Sequence, residues 1–126
     1  MSMSNPNYYQ QYKQNAVQSA GSSELTTMLF NGLVKYLMLS IKFIEQNDVT
    51  GSHKNLVRSQ EIISYLQETL DKNYEISKNL DALYDFMKRT LIQANIKKNA
   101  KIVEDVLGMV KELREVWQQA VKKANV

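Results

Sequence analysis

An all-α fold, an antiparallel up-and-down four-helix bundle with a flexible N-terminal arm, is what this sequence of 126 residues predicts. Three observations carry that expectation. The chain holds only 4 glycines and 1 proline, too few turn residues for a sandwich or barrel of many short strands. Apolar residues recur at three- and four-residue steps through long segments beyond the first twenty or so positions. The length suits a single domain with one core, and 0 cysteines remove a disulfide framework, a thiolate zinc site and a Cys nucleophile together.

The organisation divides at 21/22, with an arm over 1–21 and the bundle domain over 22–126. The start of the chain carries Lys13 as its one charged side chain, many Asn, Gln and Ser, and the tyrosines Tyr8, Tyr9 and Tyr12. Such a segment cannot bury enough apolar surface to hold one shape, so it is expected to be flexible or docked. Three rings in so short a stretch supply large contact area at low entropic cost.

Helix one is expected from Ser22-Ser23, good caps, with Glu24 where the helix dipole favours an anion. Leu25, Met28, Leu29, Leu33, Tyr36, Leu37, Ile41 and Ile44 form its face, widened by Phe30, Val34, Leu39 and Phe43. A helix apolar around most of its girth is central to a bundle or covered by something else. Asn47-Asp48 through Gly51-Ser52 reads as a turn, and helix two as about Ser52 to Asp71 on a seam of Leu56, Ser59, Ile63, Leu66 and Leu70. Helix three spans about Ser77 to Lys97, with Leu80, Leu83, Met87, Leu91 and Ala94 inward and an expected Asp85–Arg89 pair. Helix four runs from about Asn99, as cap, to Lys123. Its seam is Val103, Val106, Val110, Leu113, Trp117, Ala120 and Ala124, and a second row of Ile102, Met109 and Val116 repeats every seven residues beside it.

Chemistry is scarce. Basic and acidic residues number 16 and 13 and alternate along the chain, which argues against nucleic-acid binding despite a pI near 9.0. The stretch Leu33–Ile44 carries Lys35 and Lys42, so no membrane insertion is expected, and the start of the chain does not resemble a signal peptide. A di-iron bundle needs Glu-x-x-His on two helices, whereas the single histidine, His53, has Thr50 three residues before it and sits in a polar, solvent-facing run. Asp81 with Asp85, and Glu104 with Asp105, are paired carboxylates without an enclosed partner to separate their pKa values. No metal, cofactor or catalytic site is expected.

What remains is surplus apolar surface: Phe30 and Met38 on helix one, Ile62 and Tyr65 on helix two, Tyr84 on helix three, and Ile102, Met109 and Val116 on helix four. Unequal helices can bury such residues within a bundle, or the residues can line a groove for amphipathic helices of a partner. Ile62, Tyr65, Tyr84, Ile102, Met109 and Val116 are the groove candidates, and a homodimer through the same rows is the alternative.

Several segments in order resemble the FliS family of flagellar secretion chaperones. They are Tyr8-Tyr9-x-x-Tyr12; Ser23-Glu24-Leu25-Thr26-x-Met28-Leu29-Phe30-Asn31-Gly32; Ser59-Gln60-Glu61-Ile62-Ile63 with Leu66 and Leu70-Asp71; Asn79-Leu80-x-x-Leu83-Tyr84-Asp85-Phe86; Leu91-Ile92-x-Ala94-Asn95; and Glu112-Leu113-Arg114-x-x-Trp117. The chain departs from the family where Ser22-Ser23 replaces a common Pro, Phe30-Asn31 a common Tyr-Asp, and Arg58-Ser59 a common Lys-Ala. The resemblance implies a helical bundle without enzymatic activity in the bacterial cytosol. It further implies binding of the disordered C-terminal segment of flagellin, which blocks premature polymerisation, and presentation of that client to the flagellar type III export gate. Tyr8, Tyr9 and Tyr12 then correspond to an arm that lies over the groove until the client displaces it.

Overall fold

The computed structural model describes residues 23–124. Four helices follow one another: α1 (Ser23–Glu45), α2 (Val49–Glu68), α3 (Glu75–Lys97) and α4 (Ala100–Ala124). α1 packs on α2 and α4, and α3 packs on α2 and α4, which closes a four-helix ring. Each neighbour runs antiparallel. Across α1 and α2, Tyr36 meets Arg58 and Phe43 lies beside Gly51. Across α2 and α3, His53 meets Asn95, Ser64 meets Lys88 and Gln67 meets Asp81. One number falls as the other rises.

The connections are short because their residues close helices locally. Asn47 adopts φ 58°, a left-handed conformation that asparagine tolerates, and its N–H donates to the Ile44 carbonyl while that of Asp48 donates to Phe43. Helix α2 then begins at Val49, earlier than Ser52, because Asp48 rather than a serine caps it: Oδ1 accepts from the Gly51 N–H at 2.8 Å. Lys98 ends α3 with φ 51°, and Asn99 caps α4 by accepting from the N–H groups of Lys101 and Ile102. α3 starts at Glu75, and Ser77 is not its cap. Its buried hydroxyl donates back to the Asp71 carbonyl at 2.6 Å and ties the helix to the loop before it.

The core follows the predicted seam except at Met28, expected on the apolar face of α1 and 69% exposed. Leu33, Leu37, Leu56, Ile63, Met87, Leu91, Val103, Val106 and Val110 are all fully buried. Ser40 and Ser59 lie in it as well, and each hydroxyl donates to the carbonyl four residues earlier; among the described residues no buried side-chain N or O atom goes unpaired. By length and composition α1 is apolar enough to cross a membrane. In the bundle Phe30, Leu33, Val34 and Leu37 are buried instead. Phe30 is therefore core rather than surplus, tilted at 43° against Trp117 with ring centroids 6.3 Å apart. Trp117 donates from Nε1 to Thr27 Oγ1 at 3.0 Å, and Arg114 donates to Asn31 Oδ1 at 3.3 Å, so that flank of α4 faces α1.

Candidate partner-binding surface

The groove candidates do not share one site. Tyr84 is core: only 3% of it is exposed, and burial alone pushes its phenol well above the ordinary tyrosine range. Its ring fills the seam that Leu80 and Met87 share, a placement that three- and four-residue spacing on α3 already permits. Ile62 is half-buried between α1 and α2, where a Cβ added at Gly32 would lie 3.6 Å from Ile62 Cδ1. Ile102 and Met109 are also half-buried, packed against the core. Tyr65 and Val116 stand out at 51% and 59% exposure. Tyr8, Tyr9 and Tyr12 lie outside the described residues, as does the boundary at 21/22.

Helical geometry sorts these positions. With Arg114 and Trp117 turned to α1, the row of Ile102, Met109 and Val116 falls on the opposite flank of α4, towards α3. On α3, Asp81, Asp85 and Lys88 face α2, so Leu83 and Phe86 fall on the flank towards α4. Between α2 and α3 lies a cleft of about 550 Å³ whose apolar lining is Val57, Tyr65 and Ile92. Glu61, Glu68, Lys88 and Arg89 rim it. Ser64, Asp85 and Lys88 give it a polar, hydrogen-bonded side, and Gln67 and Asp81 extend that network beyond the cleft. Gln67 Nε2 donates to Asp81 Oδ1 at 3.1 Å and to Asp85 Oδ1 at 2.8 Å, while Lys88 donates to Ser64 Oγ at 3.3 Å.

That network settles the carboxylates. Asp81 and Asp85 share a neutral amide instead of facing each other in an enclosed pocket, and Asp85 pairs at 3.9 Å with Lys88, not with Arg89. The spacing to Lys88 puts its ammonium over the cleft, where it also reaches Ser64, and Arg89 turns outward to the rim. Among the described residues no cluster of His, Asp and Glu has the arrangement of a metal site. His53 is exposed and shares its Nδ1 with the Asn95 amide at 2.9 Å.

Sequence reasoning missed the outer face of α3. Phe86, Ile92 and Ile96 are 45%, 44% and 71% exposed: Ile92 joins Val57 and Tyr65 in the α2–α3 cleft, Ile96 stands one turn beyond it, and Phe86 lies on the flank of α3 towards α4. Ile92 and Ile96, one turn apart and off the Leu91/Ala94 seam, were the available signal. Exposed apolar residues grouped along a cleft mark an interaction surface more often than scattered ones do.

The profile of the Flagellar protein FliS family matches residues 4–124. The chain is 41% identical over 122 residues to a flagellar secretion chaperone FliS of Bacillus subtilis, spanning 97% of this chain and 90% of that protein. It is 38% identical over 121 residues to the Salmonella typhimurium protein of the same name, spanning 94% and 90% of the two chains. With the Escherichia coli counterpart it shares 32% identity over 111 residues, 86% and 82% of the respective lengths. The fold and these likenesses agree: this chain belongs to the FliS family, whose members are flagellar chaperones and not enzymes.

Proposed function

We propose that this chain, a chaperone of flagellar export, holds the disordered C-terminal segment of flagellin as amphipathic helices laid on the α2–α3 side of the bundle. The observation that carries the reading is the exposed apolar group Val57, Tyr65 and Ile92 along the α2–α3 cleft, with Ile96 one turn beyond it and Phe86 on the flank of α3 towards α4. A client segment seated there would continue over α3 to Met109 and Val116. A disordered segment that folds on binding buries on the order of 1,000–3,000 Å², offset in part by the cost of ordering it. Mixed charge at the cleft rim gives such a helix polar contacts at its edges while its apolar face goes inward.

Holding that segment keeps flagellin from polymerising in the cytosol and delivers it to the type III export gate. Tyr8, Tyr9 and Tyr12 act as the arm that the client displaces. The mechanism is mass action, with no nucleotide and no cofactor. Calorimetric titration with a peptide of the host flagellin's C-terminal segment tests the reading. Saturable one-to-one binding with a negative heat-capacity change, weakened by Tyr65→Ala and Phe86→Ala, is the expected result. Absence of binding, also after deletion of the arm, would overturn it.

A further inference from the structure

A second cleft, on the other side of α2, is cationic where the first is of mixed charge. It measures about 540 Å³ and lies between α1 and α2 over Tyr36, Phe43, Lys54 and Arg58. Lys35 Nζ sits 5.3 Å from the Tyr36 ring centroid and the Arg58 guanidinium 5.6 Å from it, so one ring holds two cations at the cleft mouth. Lys54 stands one turn before Arg58 on α2.

None of Lys35, Lys54 and Arg58 pairs with a carboxylate among the described residues. The one acid in the lining, Asp48, is engaged in capping α2 through the Gly51 N–H. The floor is apolar by construction. A Cβ on Gly51 would come within 2.8 Å of the Phe43 ring, so only glycine there lets that ring lie over the first turn of α2. From Tyr36 to Phe43 the floor runs about 10 Å along α1, two turns of a docked helix.

We infer that the α1–α2 cleft is a docking site for an acidic amphipathic helix of a partner protein, separate from the α2–α3 side. Charge complementarity selects the occupant. The chain's own N-terminal residues 1–22 contain no carboxylate and cannot supply it. A single-stranded nucleic acid would want a free aromatic face on which to stack, and the Tyr36 ring already carries two cations. The four-residue spacing of Lys54 and Arg58 on α2 matches carboxylates on one face of a helix.

The test uses the full chain and a labelled synthetic helical peptide with glutamates at four-residue spacing flanking leucines, read by fluorescence anisotropy at physiological salt. Saturable binding is expected, reduced at least tenfold by the Lys54→Glu/Arg58→Glu double variant. The same peptide with glutamines in place of glutamates binds at least tenfold more weakly. Lys72→Glu/Lys111→Glu, the same change in net charge away from the cleft, leaves binding within twofold, and circular dichroism verifies that both double variants are folded. The milder Lys54→Gln/Arg58→Gln variant gives an intermediate loss, which guards against misfolding of the reversal. Equal losses from the two charge reversals, or displacement of the peptide by equimolar poly(U) RNA, would overturn the inference as nonspecific attraction. Self-association abolished by Lys54→Glu/Arg58→Glu would overturn it in favour of a second copy of the chain. Binding of the flagellin peptide stays unchanged in that variant, so the two sites fail or stand separately.

Discussion

Tyr65 and Tyr84 look alike by spacing, and the bundle gives them opposite duties; replacing each by alanine separates the two. Tyr84 is 3% exposed in a close-packed core, where loss of an aromatic ring removes its transfer free energy and leaves a cavity, together about 3–5 kcal/mol. At this chain length 1 kcal/mol moves Tm by about 4 °C, so Tyr84→Ala is expected to lower it by about 12–20 °C. Tyr65 is 51% exposed, and its truncation should cost no more than about 0.5 kcal/mol, or about 2 °C. Affinity for the flagellin peptide should fall by about 1–2 kcal/mol with Tyr65→Ala, a loss of roughly five- to thirtyfold. Thermal unfolding by far-UV circular dichroism and calorimetric titration of the same samples give both numbers. Should Tyr84→Ala melt within 3 °C or so of the parent while Tyr65→Ala melts far below it, the assignment of core and surface is reversed. Unchanged affinity in Tyr65→Ala would remove the α2–α3 cleft from the client site.

The two glycines within α2 and α4 should respond with opposite sign to alanine. Gly108→Ala meets open space and should stabilise by about 0.5–1 kcal/mol through helix propensity, whereas Gly51→Ala drives a Cβ into Phe43 and crowds the Asp48 cap, costing about 1–2 kcal/mol in urea unfolding. Val116→Glu should leave stability within about 0.5 kcal/mol while Met109→Glu, half-buried against the core, costs about 1–3 kcal/mol, both read from urea midpoints. The neutral phenol of Tyr84 is favoured by the fold, so the native state keeps its proton where the unfolded chain has lost it. Its contribution is complete below about pH 10 and is lost progressively as the pH rises above that value; Tyr84→Phe should flatten the alkaline fall in Tm.

Most of the architecture is written in residue order. The heptads of α4, the sparse glycines and the wide apolar face of α1 each specify long antiparallel helices, because a helix buries one face and short loops leave no other neighbour. Helix starts were legible to within a few residues. Where they shifted, at Val49 and Glu75, a local hydrogen bond decided the matter: Asp48 reached the Gly51 amide first, and Ser77 found a carbonyl in the preceding loop.

The binding surface was less legible, and the reason is rotational. Periodicity reports that a residue lies off the seam, but not on which side of its helix a neighbour stands. Ile102, Met109 and Val116 form one row in sequence, yet their exposure differs because the packing of α3 covers the first two more than the last. Tyr84 and Phe86 stand two residues apart. Tyr84, four residues from Leu80 and three from Met87, falls on the seam, whereas Phe86 lies off it, and only the position of α4 decides how much of that ring stays exposed.

By itself, then, the sequence determined helix number, order and seam, and its motifs the family, since these follow from local spacing and residue identity. Only the tertiary structure decided which apolar residues stay exposed, that α2 is flanked by one cleft of mixed charge and one of unpaired cations, and that Gln67 ties Asp81 and Asp85 together. Those outcomes depend on how each helix is rotated against its neighbours, a property of the packed ring that no single helix carries.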